Sequence, residues 1–278
     1  MPTNEIESII SRHYAALPLK QRIMEALQIE GKTPSKLSID DLAPIDEFHS
    51  RGRKSTIELA RDAGIQSWMH VIDIGCGIGG PSRYMASAIG CRVVGVDLCS
   101  EYCDVAEMLG ELTGLSHLAS YRKGNAVNLP FQDQSFDAAW TQHASMNIAE
   151  KSRFYSEAAR VLKPSGILAI CDILTGDGLP LEFPVPWAST PITSFLATSD
   201  ELAENLVSAG FRISLWEDET EKTIEWFDRI AGRSIESVNS RPGLHLLLGD
   251  KFPLMLRNQL FNLQSGRIRV IKVVAIRN

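Results

Sequence analysis

Asp73 stands two residues ahead of the run Gly75-Cys76-Gly77-Ile78-Gly79-Gly80. Glycines at this spacing let a backbone approach a ligand at a helix N-terminus. Gly75, Gly77 and Gly80 satisfy G-x-G-x-x-G, which fits a nicotinamide or flavin dinucleotide as well as S-adenosylmethionine (SAM). Asp73 separates the two. A pyrophosphate at that place would be repelled by a carboxylate, whereas SAM carries an ammonium and a sulfonium there, which a carboxylate favours.

Two further positions suit a nucleoside. Asp97 closes the next apolar run, where a carboxylate accepts hydrogen bonds from a ribose or, read structurally, caps the following helix. Asn125 follows a third short run; its oxygen suits an adenine amino group, or an Asx turn, and Ala126 leaves room for the ring. The predicted cofactor shell is Asp73, Gly75, Cys76, Gly77, Asp97, Leu98, Asn125 and Ala126, with Gln142, and the resemblance given below adds Phe48.

Methyl transfer from SAM is an in-line displacement, so alignment and exclusion of water matter most. An amine acceptor must be unprotonated, and a phenol or carbon acid benefits from a base. Trp140-Thr-Gln-His-Ala-Ser-Met-Asn147 supplies Gln142, His143 and Asn147 past a strand end. Gln142, His143 and His49 are the catalytic candidates; His143 either takes a proton or bonds the substrate, or is a positioning histidine, while His49 is a helix-surface histidine unless the resemblance given below makes it a cofactor or substrate contact. Trp187, in Pro184-Val-Pro-Trp187, either faces a cationic substrate or anchors packing.

These residues need a scaffold. Trp68–Asp73, Cys91–Asp97, Leu118–Lys123, Ser135–Trp140 and Ile167–Ile173 read as strands. Helical patterns over Pro81–Ile89, Ser100–Thr113 (Ser100 as N-cap) and Ile148–Leu162 alternate with them, the last stopping at Lys163-Pro-Ser-Gly166. That alternation predicts an α/β, Rossmann-like fold with a mostly parallel sheet and ligands beyond the strands' carboxyl ends. Upstream, residues 4–30 read as two helices broken at Pro18, Gly31–Pro44 as a loop, and Asp46–Ala63 as a helix. Downstream, the proline-rich stretch 175–198 reads as a lid. A helix over Asp200–Ala209 capped by Thr198 or Ser199, a strand Phe211–Trp216, helices Glu221–Ser237 and Phe252–Gln264, and a strand Arg267–Arg277 follow. The expected organisation is a helical cap over 1–64 and a sheet domain over 65–278, with the lid and a helical insertion over about 221–264.

Composition narrows the partners. The formal net charge is −6 and no long basic run occurs, which argues against nucleic acid. The short cluster Arg51, Arg53, Lys54 reads as a solvated helix end. Five cysteines without paired spacing predict free thiols in a cytoplasm-like compartment and no zinc site. No signal peptide and no apolar stretch of spanning length is evident, so a soluble protein is expected. A small-molecule substrate is expected, no metal, and a homodimer is compatible.

Three segments carry a family resemblance: Val71-Ile-Asp-Ile-Gly-Cys-Gly-Ile-Gly-Gly80; Gly124-Asn-Ala-Val-Asn-Leu-Pro-Phe131 with Ser135-Phe-Asp137; and Glu157-Ala-Ala-Arg-Val-Leu-Lys-Pro-Ser-Gly166. In this order they resemble the class I SAM-dependent methyltransferases of the ubiquinone and menaquinone branch. Asn125 departs from that pattern, which usually has Asp there. Asp46-Glu-Phe-His-Ser-Arg-Gly52 is similar to the D-Q-F-H-x-x-G segment of sarcosine/dimethylglycine-type N-methyltransferases, where it closes over the cofactor. The resemblance implies Phe48, His49 and Gly52 near SAM. It also implies seven strands ordered 3-2-1-4-5-7-6, the last antiparallel, and favours a small amine as acceptor. The alternative acceptor is a quinone, tocopherol-like, phenolic or isoprenoid molecule methylated at carbon or oxygen. An NAD(P)-dependent oxidoreductase is a distant alternative, opposed by Asp73 and by the lack of a Tyr-x-x-x-Lys pair. A SAM-binding module without catalysis is disfavoured by the complete cofactor pattern.

Overall fold

The computed structural model describes residues 5–7, 9–10, 19–33, 37–231 and 243–278. Ahead of the sheet, residues 5–7 and 9–10 are helical, and α1 (Leu19–Ile29), α2 (Ile39–Asp46) and α3 (Arg53–Asp62) follow. Then come β1 (His70–Ile74), α4 (Gly80–Tyr84), β2 (Arg92–Asp97), α5 (Ser100–Leu112), β3 (Ala119–Lys123), β4 (Phe136–Gln142), α6 (Lys151–Val161) and β5 (Leu162–Thr175). The remainder holds α7 (Ser199–Ser208), β6 (Phe211–Asp218), α8 (Thr220–Ala231), α9 (His245–Leu248), α10 (Phe252–Gln264) and β7 (Ile268–Arg277).

The seven strands lie in the order β3-β2-β1-β4-β5-β7-β6, with β7 antiparallel to β5 and β6, as the resemblance implied. β1 pairs in parallel with both β2 and β4. Successive residues of β1 therefore feed two cores. Val71 joins Trp140, Trp187 and Phe227 on one face. Ile72 and Ile74 join Phe154, Leu206 and Phe211 on the other. A third cluster ties α1 and α2, through Ile23, Leu42 and Ile45, to Tyr102 and Leu109 of α5 and to Met255 of α10.

Several local readings change. Gly31–Pro44 is not wholly loop: Ser38 caps α2, with a reciprocal bond from Asp41, and the helix carries Pro44 inside it. The capping box and the Lys32–Asp41 ion pair offset the proline. The helix expected over Asp46–Ala63 is therefore split, and Glu47–Gly52 forms the joint between α2 and α3. Ser100 is the first residue of α5 rather than its cap; Cys99 holds the cap position without a side-chain bond. Lys163–Gly166 does not end a helix before a separate strand. β5 begins at Leu162, opposite Phe136, and resumes regular pairing at Ile167 opposite Ala138. The cap of α7 is Thr198, whose hydroxyl accepts from the Glu201 backbone N–H. The break expected at Pro18 and the end of the helix expected to reach Ser237 lie outside the described residues.

Of the basic cluster, Lys54 is a solvated helix-end residue, but Arg51 and Arg53 are not. Arg51 is buried and donates to Glu58 (2.5 Å) and Glu219 (2.6 Å), while Arg53 pairs with Glu47 and Asp40. Glu219 also lies 3.3 Å from the buried Lys272 of β7, which pairs with Asp62 and Glu217 at 2.6 Å each. Carboxylates distant in sequence absorb the positive charge. The stretch 175–198 is held down by amide side chains. Asn262 bonds both backbone groups of Glu182, Asn258 donates to the Pro184 carbonyl, and Asn147 donates to the Trp187 and Thr193 carbonyls. Among the described residues no helix is long and apolar enough to cross a membrane.

Candidate active site

The glycine turn leaves β1 at the switch point between β1 and β4, where an open parallel sheet has its crevice. The Gly75 and Cys76 amides donate to the Val96 carbonyl, which ties the turn to β2. Gly75, Gly77 and Gly79 all have positive φ. A Cβ on Gly75 would overlap the side chain of Ala144 in the loop after β4, so only glycine lets the two loops meet. Asp97, at the end of β2, accepts from the Gly77 amide (2.9 Å) and from the Cys99 amide (2.9 Å). It thus fixes the turn and opens α5, so the helix-start reading of this residue holds beside the strand-end one.

A cleft of about 810 Å³ lies over this turn, bounded by Gly75, Gly77, Asp97, Leu98, Asn125 and Ala126, with Phe48 from the α2–α3 joint and Ile10 from the N-terminal segment. Asp73, Cys76 and Gln142 border an adjoining space together with Asp46, Phe48 and His49. All ten residues of the predicted cofactor shell therefore meet in one connected region. Asn125 does make the Asx turn: its oxygen accepts from the Val127 amide, and its amide donates to Glu7. Tyr102, Ile148 and Ile10 also line the cleft and were not foreseen. Tyr102 lies in the first turn of α5, which starts just past Asp97; Ile10 and Ile148 carry no comparable signal.

Asp73 is buried, and its carboxyl accepts from the Ser82 hydroxyl at 2.6 Å. Burial, opposed by that bond and reinforced by the charge of Asp97, pushes its pKa up to about 7. A buried carboxylate short of positive charge fits the cationic end of SAM. The glycine cradle and the carboxylate at the β2 end fit its adenosine. Among the described residues no cluster of histidine, cysteine and acidic side chains is arranged to hold a metal, and all five cysteines are free thiols.

His143 stands at the junction. It borders the cofactor cleft, the space beside Asp73 and a third, apolar pocket of about 440 Å³. Its backbone has φ 52°, in the left-handed region unusual for histidine, and its amide donates to the Cys171 carbonyl. The neighbouring turn is pinned by Asp172, whose carboxylate accepts from the Ser145 amide (3.1 Å). The His143 Nε2 is buried with no hydrogen-bond partner among the described residues. Burial, with the nearby His49, pulls its pKa down to about 3. His143 is therefore neutral in ordinary buffers and better suited to bonding an acceptor than to taking up its proton.

His49 is not on a helix surface. It lies buried in the α2–α3 joint, with Nε2 2.9 Å from Glu47 and Nδ1 3.1 Å from the Gln142 amide nitrogen. Its ring centroid is 6.0 Å from that of His143. The apolar pocket that both histidines border is otherwise walled by Met146, Trp187, Trp226, Phe227, Phe252 and Leu256. Trp187 donates its indole N–H to Ser194 (2.9 Å), so it is anchored and lines the pocket at once. The polar residues at the far side are Ser50 and Gln259, bonded to each other.

Comparison with known proteins agrees with this geometry. Residues 72–170 match the family model described as a methyltransferase domain. A sterol 24-C-methyltransferase of Aspergillus fumigatus is 35% identical over 126 residues, covering 45% of this chain and 33% of that one. A glycine/sarcosine/dimethylglycine N-methyltransferase of Actinopolyspora halophila is 27% identical over 231 residues, covering 80% of this chain and 39% of that one. The chain thus spans about a third of the length of these curated relatives. The solved geranyl diphosphate C-methyltransferase of Streptomyces coelicolor superposes with a TM-score of 0.72 over 100% of both chains at 18% identity, a likeness of fold. Residues 72–170 thus match a methyltransferase domain, and they sit in a sheet with the strand order and glycine turn expected from the resemblance to the class I SAM-dependent methyltransferases.

Proposed function

We propose that the protein transfers a methyl group from SAM to a small molecule seated in the apolar pocket. The observation that carries this is the position of His143, which borders both the cofactor cleft and that pocket. The cofactor binds with adenosine between Asp97, Leu98, Asn125 and Ala126 and its cationic end toward Asp73. Residues 1–64 act as a cap that brings Phe48 and His49 over the crevice. Melting shifts with SAM and with NADH test the cofactor: stabilisation by SAM is expected, and stabilisation by NADH alone would overturn the reading. Formation of S-adenosylhomocysteine with a metabolite panel tests the transfer.

The pocket favours an acceptor with an apolar body over a small polar amine. No carboxylate borders it among the described residues, so an ammonium substrate would find no counter-ion there. Among the described residues no Lys or Arg borders it either, which disfavours a phosphorylated acceptor. A quinol, phenol or isoprenoid-like molecule matches the lining better. The amine reading retains support from the aromatic walls, whose faces attract cations, and from the resemblance of the Asp46–Gly52 segment.

Asp73 gives this function a pH signature. In the free protein its carboxyl keeps a proton up to about pH 7, whereas an unfolded chain loses it near 3.8. The folded state therefore holds the extra proton between those values, and this contribution to stability is lost as pH rises through about 7. A bound cation favours the ionised form, so SAM binding releases a proton and tightens as pH rises toward 7. Calorimetry at pH 6 in two buffers of different ionisation enthalpy should show that release, and Asp73→Asn should abolish it. Equal heats for the wild type in the two buffers would remove Asp73 from cofactor recognition.

A further inference from the structure

We propose that Glu47 and His49 form a carboxylate–imidazole dyad that accepts the proton of a hydroxyl or acidic C–H acceptor, an inference that rests on the methyl-transfer reading above. The Glu47 side chain is 2% exposed and is held from three sides. It accepts from the Thr56 hydroxyl (2.8 Å), is paired with the Arg53 guanidinium, and meets His49 Nε2 at 2.9 Å. Three donors on one buried carboxyl require it to be ionised, and an ionised carboxylate only accepts. The proton of neutral His49 is thereby fixed on Nε2. Its Nδ1 is left as the lone-pair nitrogen, accepting from the Gln142 amide at 3.1 Å, the shorter of its two contacts, the other being the Ser50 carbonyl oxygen at 3.4 Å.

His49 borders both the apolar pocket and the space beside Asp73 and Gly75. An acceptor O–H entering from the pocket takes the place of the Gln142 amide as donor to Nδ1. The O–H bond then breaks, an Nδ1–H bond forms, and the positive charge stays on an imidazolium that Glu47 neutralises across Nε2. The oxygen keeps the electron pair that it needs as nucleophile. When bound, SAM supplies the electrophilic methyl carbon and keeps the S–C electron pair on leaving. Glu47 borders none of the pockets named, so it is a positioning residue that works through His49.

Two features set this dyad apart from a structural bond. His143, the other imidazole beside the pocket, has no carboxylate bonded to it among the described residues, so it has no means to stabilise an acquired charge. The joint carrying the dyad is also braced from behind, because Arg51, two residues past His49, is locked between Glu58 and Glu219. The base is therefore held on a rigid hairpin of chain between α2 and α3.

The test uses para-nitrophenol, whose phenolate absorbs in the visible, titrated into the whole protein without SAM. The expected result is that wild type binds it as the phenolate at a pH about one unit below its free ionisation, and that His49→Gln and Glu47→Gln bind it neutral. With SAM present, both variants should lose about a hundredfold or more in kcat on alpha-naphthol, and Glu47→Gln, whose residue borders none of the pockets, should do so with KM and the SAM Kd unchanged. The loss should shrink on acceptors already ionised at the assay pH. An unshifted nitrophenol spectrum in wild type that binds SAM would overturn the dyad and leave the methyltransferase reading standing. Failure of wild type to bind SAM would overturn that reading itself. Should His49→Gln not fold, the comparison of wild type with Glu47→Gln decides.

Discussion

Asp97→Ala is expected to weaken SAM binding about a hundredfold. The carboxylate accepts two backbone bonds at 2.9 Å, from Gly77 and Cys99, before any ligand is considered. Removing it releases the glycine turn at one end and the start of α5 at the other. It also removes the proposed acceptor of the ribose hydroxyls. Hydrogen bonds to a charged group are worth about 1.5–3 kcal/mol each, and losing the equivalent of one or two corresponds to roughly a hundredfold in Kd. Asp97→Asn keeps one oxygen acceptor and should fall between the two. Isothermal titration of SAM into the three proteins measures this. A Kd within threefold of wild type for the alanine variant would show that the turn needs no carboxylate and that the ribose is bound elsewhere.

Asp46→Ala is expected to be the most destabilising single change near the site. Asp46 ends α2 and pairs at 2.9 Å with Arg83 of α4, and both side chains are wholly buried. Arg83 also donates to the Ala106 carbonyl, so it cannot swing out to water without disturbing α5. Removing the carboxylate leaves a buried guanidinium without its counter-charge, at a cost of about 3–5 kcal/mol. That should lower the melting temperature by on the order of 10 °C. The paired change Asp46→Leu with Arg83→Met should recover most of the loss, because a hydrophobic pair of similar volume avoids desolvation. Thermal unfolding of the two variants settles the point. A double variant no more stable than the single one would mean that the geometry of the pair, not its charge, seats α2 on the glycine turn.

How much of this was legible in the sequence depends on distance along the chain. β1, the turn and Asp97 fall within one βαβ unit, so apolar runs and glycine spacing suffice to place them. The final antiparallel strand was legible by its alternation. The joint at Glu47–Gly52 was not, because Pro44 masked α2 and a continuous helix seemed the simpler reading. Arg51 read as a surface residue because its partner Glu219 lies 168 positions away. His49 and His143 were both selected, but local pattern could not rank them. The difference between them is burial and a carboxylate, and both are tertiary facts. The apolar pocket is walled by β4-loop, lid and late-helix residues that share no motif, and so its lining was not legible from local pattern.

The buried Lys272 bears on how the site comes into being. It joins β7 to Asp62 on α3, to Glu217 of β6 and to Glu219 just past the end of β6, while Glu219 in turn holds Arg51 beside His49. On the ribosome the glycine turn and its strands can pair early, since they are neighbours in sequence. The Asp62 and Glu219 carboxylates cannot meet Lys272 until β7 has emerged and threaded between β5 and β6. Cofactor cradle and proton-accepting joint would then be completed at opposite ends of synthesis, leaving a nascent chain with a formed crevice and no means to act on what enters it.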